Sequence, residues 1–325
     1  MNKQSTTGCV EHGESFPAVI QGDRTALSRE AKQAIKRLAR PQPVRFALRL
    51  TWTWTLILGA IGIAAAVPNP AVRVLAILFI ATRQNVLALL LHEQVHRLAF
   101  RSRLGDLLCE LTVAYPLLVT LNGYRKVHRD HHRHFFTEKD PDYRRKQGEE
   151  WAFPQQAGRL LKSFLTDATG FNSFRLLRSK RLDESAPTSD RDAVPGWLRP
   201  SFYAGLAIVL LATGTWNLFL LDWLLPLFSV FQVIVRWAAL CEHRYDLGRT
   251  SVMEATPFIQ LRWWESLILP DLYFHTFHAY HHWYPAVPCS GLAEVHAIFR
   301  REGLVQEGNM FQGYVQYLRY LLGRK

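Results

Sequence analysis

The sequence predicts an all-α integral membrane protein: four transmembrane helices arranged as two hairpins, with a cytoplasmic helical cap that carries clustered histidines. Three observations predict it. Apolar residues gather into long runs: residues 50–67 carry no charge, and residues 71–91 and 202–240 are broken only by isolated polar groups. A bilayer span needs roughly 20 predominantly apolar residues, so the last run has room for two helices and a turn. Basic residues are placed unevenly, with eight Lys or Arg before residue 46, Arg73 alone near the first hairpin tip and none near the second. Basic segments stay on the cytoplasmic side, which puts both termini there. Finally, eleven of the thirteen histidines fall into four tight groups, all of them on the same predicted side as the termini.

Taken in order, residues 1–45 read as a polar cytoplasmic tail, loose through about residue 25, followed by a basic interfacial helix over 29–40. They lack the apolar core of a cleavable signal peptide, so insertion is expected to rest on the first span. Residues 46–325 read as one membrane domain with spans at about 46–67, 71–91, 202–221 and 223–241. The second span passes directly into His92 and His96, so its helix is expected to continue beyond the headgroups. Residues 111–121 are apolar but too short to cross and are broken by Pro116; they read as a re-entrant or interfacial segment. Residues 124–200 form a polar cytoplasmic insertion with a Ser-, Pro- and Asp-rich surface loop at 183–195. The fourth span ends at His243, and residues 314–322 predict a closing amphipathic helix.

The net charge of +12 does not point to nucleic acid, because the basic residues flank spans and are interleaved with acids. Anionic lipid headgroups or an acidic protein partner fit better. Cys9, Cys109, Cys241 and Cys289 form no CxxC pair, which fits reduced thiols and argues against a thiolate metal site.

The chemistry lies in the histidines. Residues four apart on a helix differ by about 40° in azimuth, so His92 and His96 can grip one ion from one face. His128, His131 and His132 lie at i, i+3 and i+4, and His278, His281 and His282 repeat that spacing. With His243, at the depth expected for His92, they supply nine imidazoles. That is too many for one tetrahedral zinc and suits two ions of higher coordination number. His134 points off the shared face of its helix, His275 lies one turn before His278 and can add a contact, and His12 and His296 read as structural or exposed. Metal-bound histidines usually pass their second ring proton to a carboxylate or carbonyl, for which Glu93, Asp140 and Glu242 are the candidates. HExxH at His92–His96 also admits a membrane zinc peptidase with Glu93 as general base, although such an enzyme has no need of the two HxxHH groups. A metal-binding or lipid-sensing protein without catalysis is the third reading.

Together, His92-Glu-Gln-Val-His96, the segment Tyr124-Arg125 through His132 with Asp140-Pro141-Asp142 after it, the stretch Arg236 to Glu242-His243, and His278-Ala-Tyr-His281-His282-Trp-Tyr-Pro285-Ala-Val-Pro288 resemble the membrane fatty acid desaturase and hydroxylase superfamily. The resemblance runs from about Leu90 to about Phe299. It implies a centre of two iron ions, O2 as co-substrate, and a lipid or fatty acyl substrate. The ligands it implies are His92, His96, His128, His131, His132, His278, His281 and His282, with His243 as the ninth. The expected reaction is desaturation of an acyl chain, the alternative being hydroxylation or ketolation of a lipophile. No cytochrome b5-like heme motif and no iron–sulfur ligand set is present, so electrons are expected from a separate ferredoxin, rubredoxin or cytochrome b5. The chain departs from the family pattern at Tyr280, where an acid often precedes the paired histidines, and at Ala239, where acyl-CoA desaturases of animals carry Asn.

Polar residues also interrupt the spans: Arg83, Gln84 and Asn85 in the second, Arg236 in the fourth. At such depth they must face protein or water. Arg83, Asn85 and Arg236 are candidates for a substrate pocket, with an interhelical hydrogen-bond network as the equal alternative.

Overall fold

The computed structural model describes residues 15–172, 194–248 and 250–324, and is mostly helical. Residues 183–193 of the predicted surface loop lie outside the described residues. The chain from Phe16 to Leu27 is not loose: Phe16, Val19, Ile20 and Leu27 are buried, and Ile20 bridges to Val305. These apolar side chains were passed over because polar neighbours dilute them in the sequence. Helix α1 (Arg29–Leu38) starts at Ser28, whose Oγ accepts from Ala31 N, and buries Ala31 and Ile35 against the C-terminal part of the chain. It is therefore docked on protein along one face, with its basic residues outward.

The first hairpin matches its prediction closely. Helices α2 (Pro43–Ala66) and α3 (Pro70–Val95) each carry Pro in the first turn, where the missing N–H costs nothing, and Asn69 caps α3 by accepting from Ala71 N. Along α2, Leu48, Trp52, Leu58 and Ile63 stay exposed, an apolar surface suited to lipid and not to water. Helix α3 is buried along its second half and forms the axis of the bundle. After it come α4 (Arg103–Cys109), a π-helical turn (Glu110–Ala114), α5 (Leu121–His134), α6 (Pro141–Arg145) and α7 (Ala157–Ala168). The predicted re-entrant segment is this turn and the residues after it. It packs against the spans, with Trp54 Nε1 donating to Thr112 O (2.9 Å) and Trp223 Nε1 to Pro116 O (3.1 Å).

The second hairpin differs from expectation. Helix α8 (Leu198–Thr213) ends at Gly214, which is left-handed (φ 67°), and the chain turns there rather than near residue 222. Asp222 does not make a turn because it is fully buried and held by Arg73 Nη1 at 2.7 Å, which ties the second hairpin to the start of α3. Residues 216–228 (α9) and Val230–Glu242 (α10) follow as one apolar stretch, broken at Ser229 just after Pro226. Among the described residues, three helices are thus long and apolar enough to cross a membrane, Pro43–Ala66, Pro70–Val95 and Trp216–Glu242, while α8 is shorter.

The C-terminal part adds α11 (Val252–Ala255), α12 (Trp263–Ile268), α13 (Phe274–Trp283), α14 (Cys289–Arg301) and α15 (Tyr314–Leu321). A two-residue parallel ladder, Ile259–Gln260 with Phe311–Gln312, is a small exception to the all-α expectation. Leu292, Val295 and Phe299 of α14 join Ile35 of α1 in one core. Burying each such side chain contributes about 1.5–3 kcal/mol.

Candidate metal centre

Four elements bring the histidines together. Helix α3 supplies His92 near its end, and His96 is its C-cap, after which Arg97 (φ 57°) turns the chain away. A buried polar clamp fixes that end. Gln94 Nε2 donates to Asp106 Oδ1 (2.7 Å) and Phe100 O (3.0 Å), while its Oε1 accepts from Phe100 N (2.9 Å). Arg125 of α5 grips both Asp106 oxygens (2.7 and 3.1 Å) and donates to the carbonyls of Gln94 and Val95. Helix α5 is in turn started by Thr120, whose Oγ1 accepts from Gly123 N, and by Glu110, whose Oε1 accepts from Leu121 N. Asp106 and Glu110 belong to none of the histidine groups in the sequence. The available signal was that they are the sole acids between His96 and His128.

In α13 the left-handed residues Leu272 and Tyr273 precede the helix, and Phe277 (φ −129°) kinks it. His278, His281 and His282 follow the kink and keep regular spacing. His275 precedes it and turns elsewhere: its Nδ1 lies 2.8 Å from Tyr314 Oη, and it joins neither histidine group. His243, extended just beyond α10, is held by Thr256 Oγ1 at 3.0 Å from its Nδ1.

The nine predicted imidazoles converge, but not one face per ion. His92, His96, His128 and His281 form one group whose ligand atoms lie within 4.8 Å of one another, and His131, His243 and His282 form a second. His132 and His278 adjoin them: His132 Nε2 is 2.9 Å from His128 Nε2 and 3.1 Å from His281 Nε2, while His278 Nε2 is 3.2 Å from His243 Nε2 and from His282 Nε2. Both HxxHH helices are therefore shared between the two groups, because i and i+3 on one helix diverge by about 60° and straddle them. His134 is half-buried and joins neither.

Crowded nitrogens of this kind ask for a cation. Asp140 Oδ2 sits 2.9 Å from His131 Nδ1 and Thr256 Oγ1 beside His243 Nδ1, so the Nδ1–H tautomer leaves the Nε2 lone pairs facing inward. Without a cation such lone pairs repel. A metal–nitrogen bond of about 2.1 Å with angles between 90° and 109° sets neighbouring nitrogens about 3.0–3.4 Å apart, close to the spacings seen. Burial, reinforced by neighbouring imidazoles, drives the pKa values of His128, His243, His278, His281 and His282 well below the ordinary 6.5. Burial, aided by nearby positive charge, takes His96 to about 4, and His132 falls to about 2. All are neutral at pH 7, the form that binds metal. His96 Nε2 is buried with no hydrogen-bond partner.

The other predicted residues divide. Asp140 is where it was expected, fully buried, and also accepts from Phe136, Asp142 and Tyr143 N. Glu93 is a correction: one residue past His92 it is rotated by about 100°, and its Oε1 accepts from Cys289 N (3.0 Å) at the start of α14. Among the described residues it makes no hydrogen bond to an imidazole, and its bond to α14 gives no support to a general base for the zinc-peptidase reading. Glu242 lies near Lys146, Asp142 and His131, with no hydrogen bond to an imidazole among the described residues. Asn85 donates to Pro270 O (3.1 Å) and Gln84 to Trp223 O (2.9 Å). Arg236 pairs with Asp167 of α7 and stacks over Trp151, and Arg83 bonds Thr82 and lies over Phe79. Asn85 thus ties α3 to the loop before α13, and Arg236 ties α10 to α7. Tyr280 contacts His296 Nδ1 (3.1 Å), which accounts for His296 as structural.

The sequence profile of the fatty acid desaturase family matches residues 68–314, from the first hairpin tip through the last histidine group. The chain belongs to the fatty acid desaturase family. Among curated proteins, none matches it significantly. Family membership, the apolar helices and the two histidine groups together make it a membrane oxidoreductase of that superfamily.

Proposed function

We propose that this desaturase-family protein holds two iron ions and uses O2 to desaturate a lipid acyl chain. The observation that carries the reading is the convergence of nine imidazoles into two adjoining groups, with Nε2 atoms about 3 Å apart and facing one another. His92, His96, His128 and His281 would hold one iron, His131, His243 and His282 the other, with His132 and His278 at the seam. When bound, the pair of irons supplies O2 activation with two external electrons, so that the two hydrogens taken from the chain leave in water. The protein's own share is positional. Asp140 and Thr256 fix ring tautomers, the Arg125–Asp106 clamp sets the spacing between α3 and α5, and burial keeps the imidazoles neutral and bulk water out.

The topology that accompanies this reading has four spans in two hairpins, with the short α8 as the third, and both termini and all histidine groups on the cytoplasmic side. Basic residues before α2 and their scarcity at both tips support that orientation. Electrons come from a separate ferredoxin, rubredoxin or cytochrome b5. Lipid mass spectrometry of cells with and without the protein tests the reaction: a lipid lighter by about 2 Da supports desaturation, and one heavier by about 16 Da replaces it with hydroxylation.

A further inference from the structure

Electrons must reach a centre whose rings are mostly buried. Of the nine imidazoles, His96, His132 and His282 alone belong to residues that are not fully buried. Beside His96 lies a cavity of about 160 Å³, lined by Pro41, His96, Arg97, Leu98, Arg101 and Ala286. It has room for a few waters and none for an acyl chain. Its surroundings are strongly basic. Arg97 and Arg101 form part of the wall, and Arg129, exposed on α5, is within electrostatic reach of His96. Arg133 follows Arg129 by one helical turn on the same face and is also exposed. Arg101, Arg129 and Arg133 form no ion pair among the described residues. Exposed cations without counter-ions beside a partly buried imidazole steer an anionic partner to that part of the surface.

We propose that the rim of Arg101, Arg129 and Arg133 over His96 is the docking surface for a small, acidic one-electron carrier protein, whose electrons enter by way of the His96 ring; this rests on the two-iron reading above. Each encounter oxidises the carrier by one electron and reduces the metal centre by one, and two encounters supply the pair that the reaction consumes. An anionic lipid surface is the competing occupant. A carrier is favoured because Arg101 lines a recess that has an imidazole in its wall, with Arg129 within electrostatic reach of that ring, a feature that headgroup binding does not require.

The test uses an acidic plant-type ferredoxin and purified full-length protein. The affinity of oxidised ferredoxin is measured for the metal-free protein, and the second-order rate of reduction by photoreduced ferredoxin for the iron-loaded one, both across ionic strength. In the triple variant Arg101→Glu, Arg129→Glu, Arg133→Glu, affinity and rate are expected to fall at least about tenfold and to lose most of their salt dependence. Reduction by methyl viologen radical is expected to be unchanged, and Lys162→Glu on α7 to have no effect. Ferredoxin binding that ignores salt, amidation of its carboxylates or the triple variant overturns the proposal. So does a variant that loses affinity for anionic vesicles alone. A protein that binds ferredoxin as expected but retains no iron contradicts the two-iron reading instead.

Discussion

Glu93 and Asp140 show how much one residue's direction decides. Both are acids near histidine groups, yet the first caps α14 and the second holds His131. Asp140→Asn leaves the ring without its carboxylate, and metal affinity or turnover is expected to fall about 10–100-fold, read by iron titration. Glu93→Gln is expected to keep turnover and metal content while lowering stability by about 1 kcal/mol, since it weakens one buried hydrogen bond. Loss of activity with intact folding would return Glu93 to the chemistry. Acid should also unseat the centre. His96 and His132 titrate below 6.5 when folded, so protons favour the unfolded chain. The folded state then loses stability as pH falls through about 6.5, further until about 4 where His96 itself protonates, and further still for His132. The Tm of metal-free protein measured from pH 7.5 down to 5 should decline steadily. Histidine spacing made the ligand types legible in the sequence. The partners Thr256 and Asp106 were not, because nothing local marks which distant hydroxyl or acid a ring will meet.

At the scale of elements, the decisive device is the clamp between α3 and α5. Asp106 and Arg125 are both buried, and removing one partner of such a pair costs about 3–5 kcal/mol because the other charge is left uncompensated. Asp106→Ala is therefore expected to lower Tm sharply in detergent and to lose iron from the group containing His92, His96 and His128. A variant with wild-type Tm and iron content would show that the clamp does not set the spacing. The first hairpin was legible because Pro68-Asn69-Pro70 interrupts the apolar pattern. The second turn lies several residues earlier than the spans 202–221 and 223–241 imply, because the apolar run continues past Gly214. The kink at Phe277 has no sequence marker, and it is what separates His275 from the cluster.

Across the whole molecule, residues 16–28 close on the C-terminal part of the chain. Phe16 meets Phe311, Tyr317 and Tyr320, and Glu302 accepts from Ser28 N and Oγ at the cap of α1. Deleting residues 1–27 removes four buried apolar side chains, each contributing about 1.5–3 kcal/mol, so the shortened protein is expected to unfold or aggregate at temperatures that the full chain withstands. Unchanged thermal stability would restore the picture of a loose tail. Fold class was readable at this scale because membrane spans and histidine groups are written in composition. The strap from residue 16 to 27 was not, since its hydrophobic residues are few and its long-range backbone partners lie more than 230 positions away.

The account turns on two metal sites that share nine imidazoles. His243 belongs to the second group alone, next to His278 and His282. Iron per chain, measured on purified wild-type protein and on His243→Ala, tests that claim most directly. About two irons are expected in the wild type and about one in the variant, with His92→Ala depleting the other site. One metal per chain in the wild type, zinc in place of iron, or full iron retention in His243→Ala would contradict it.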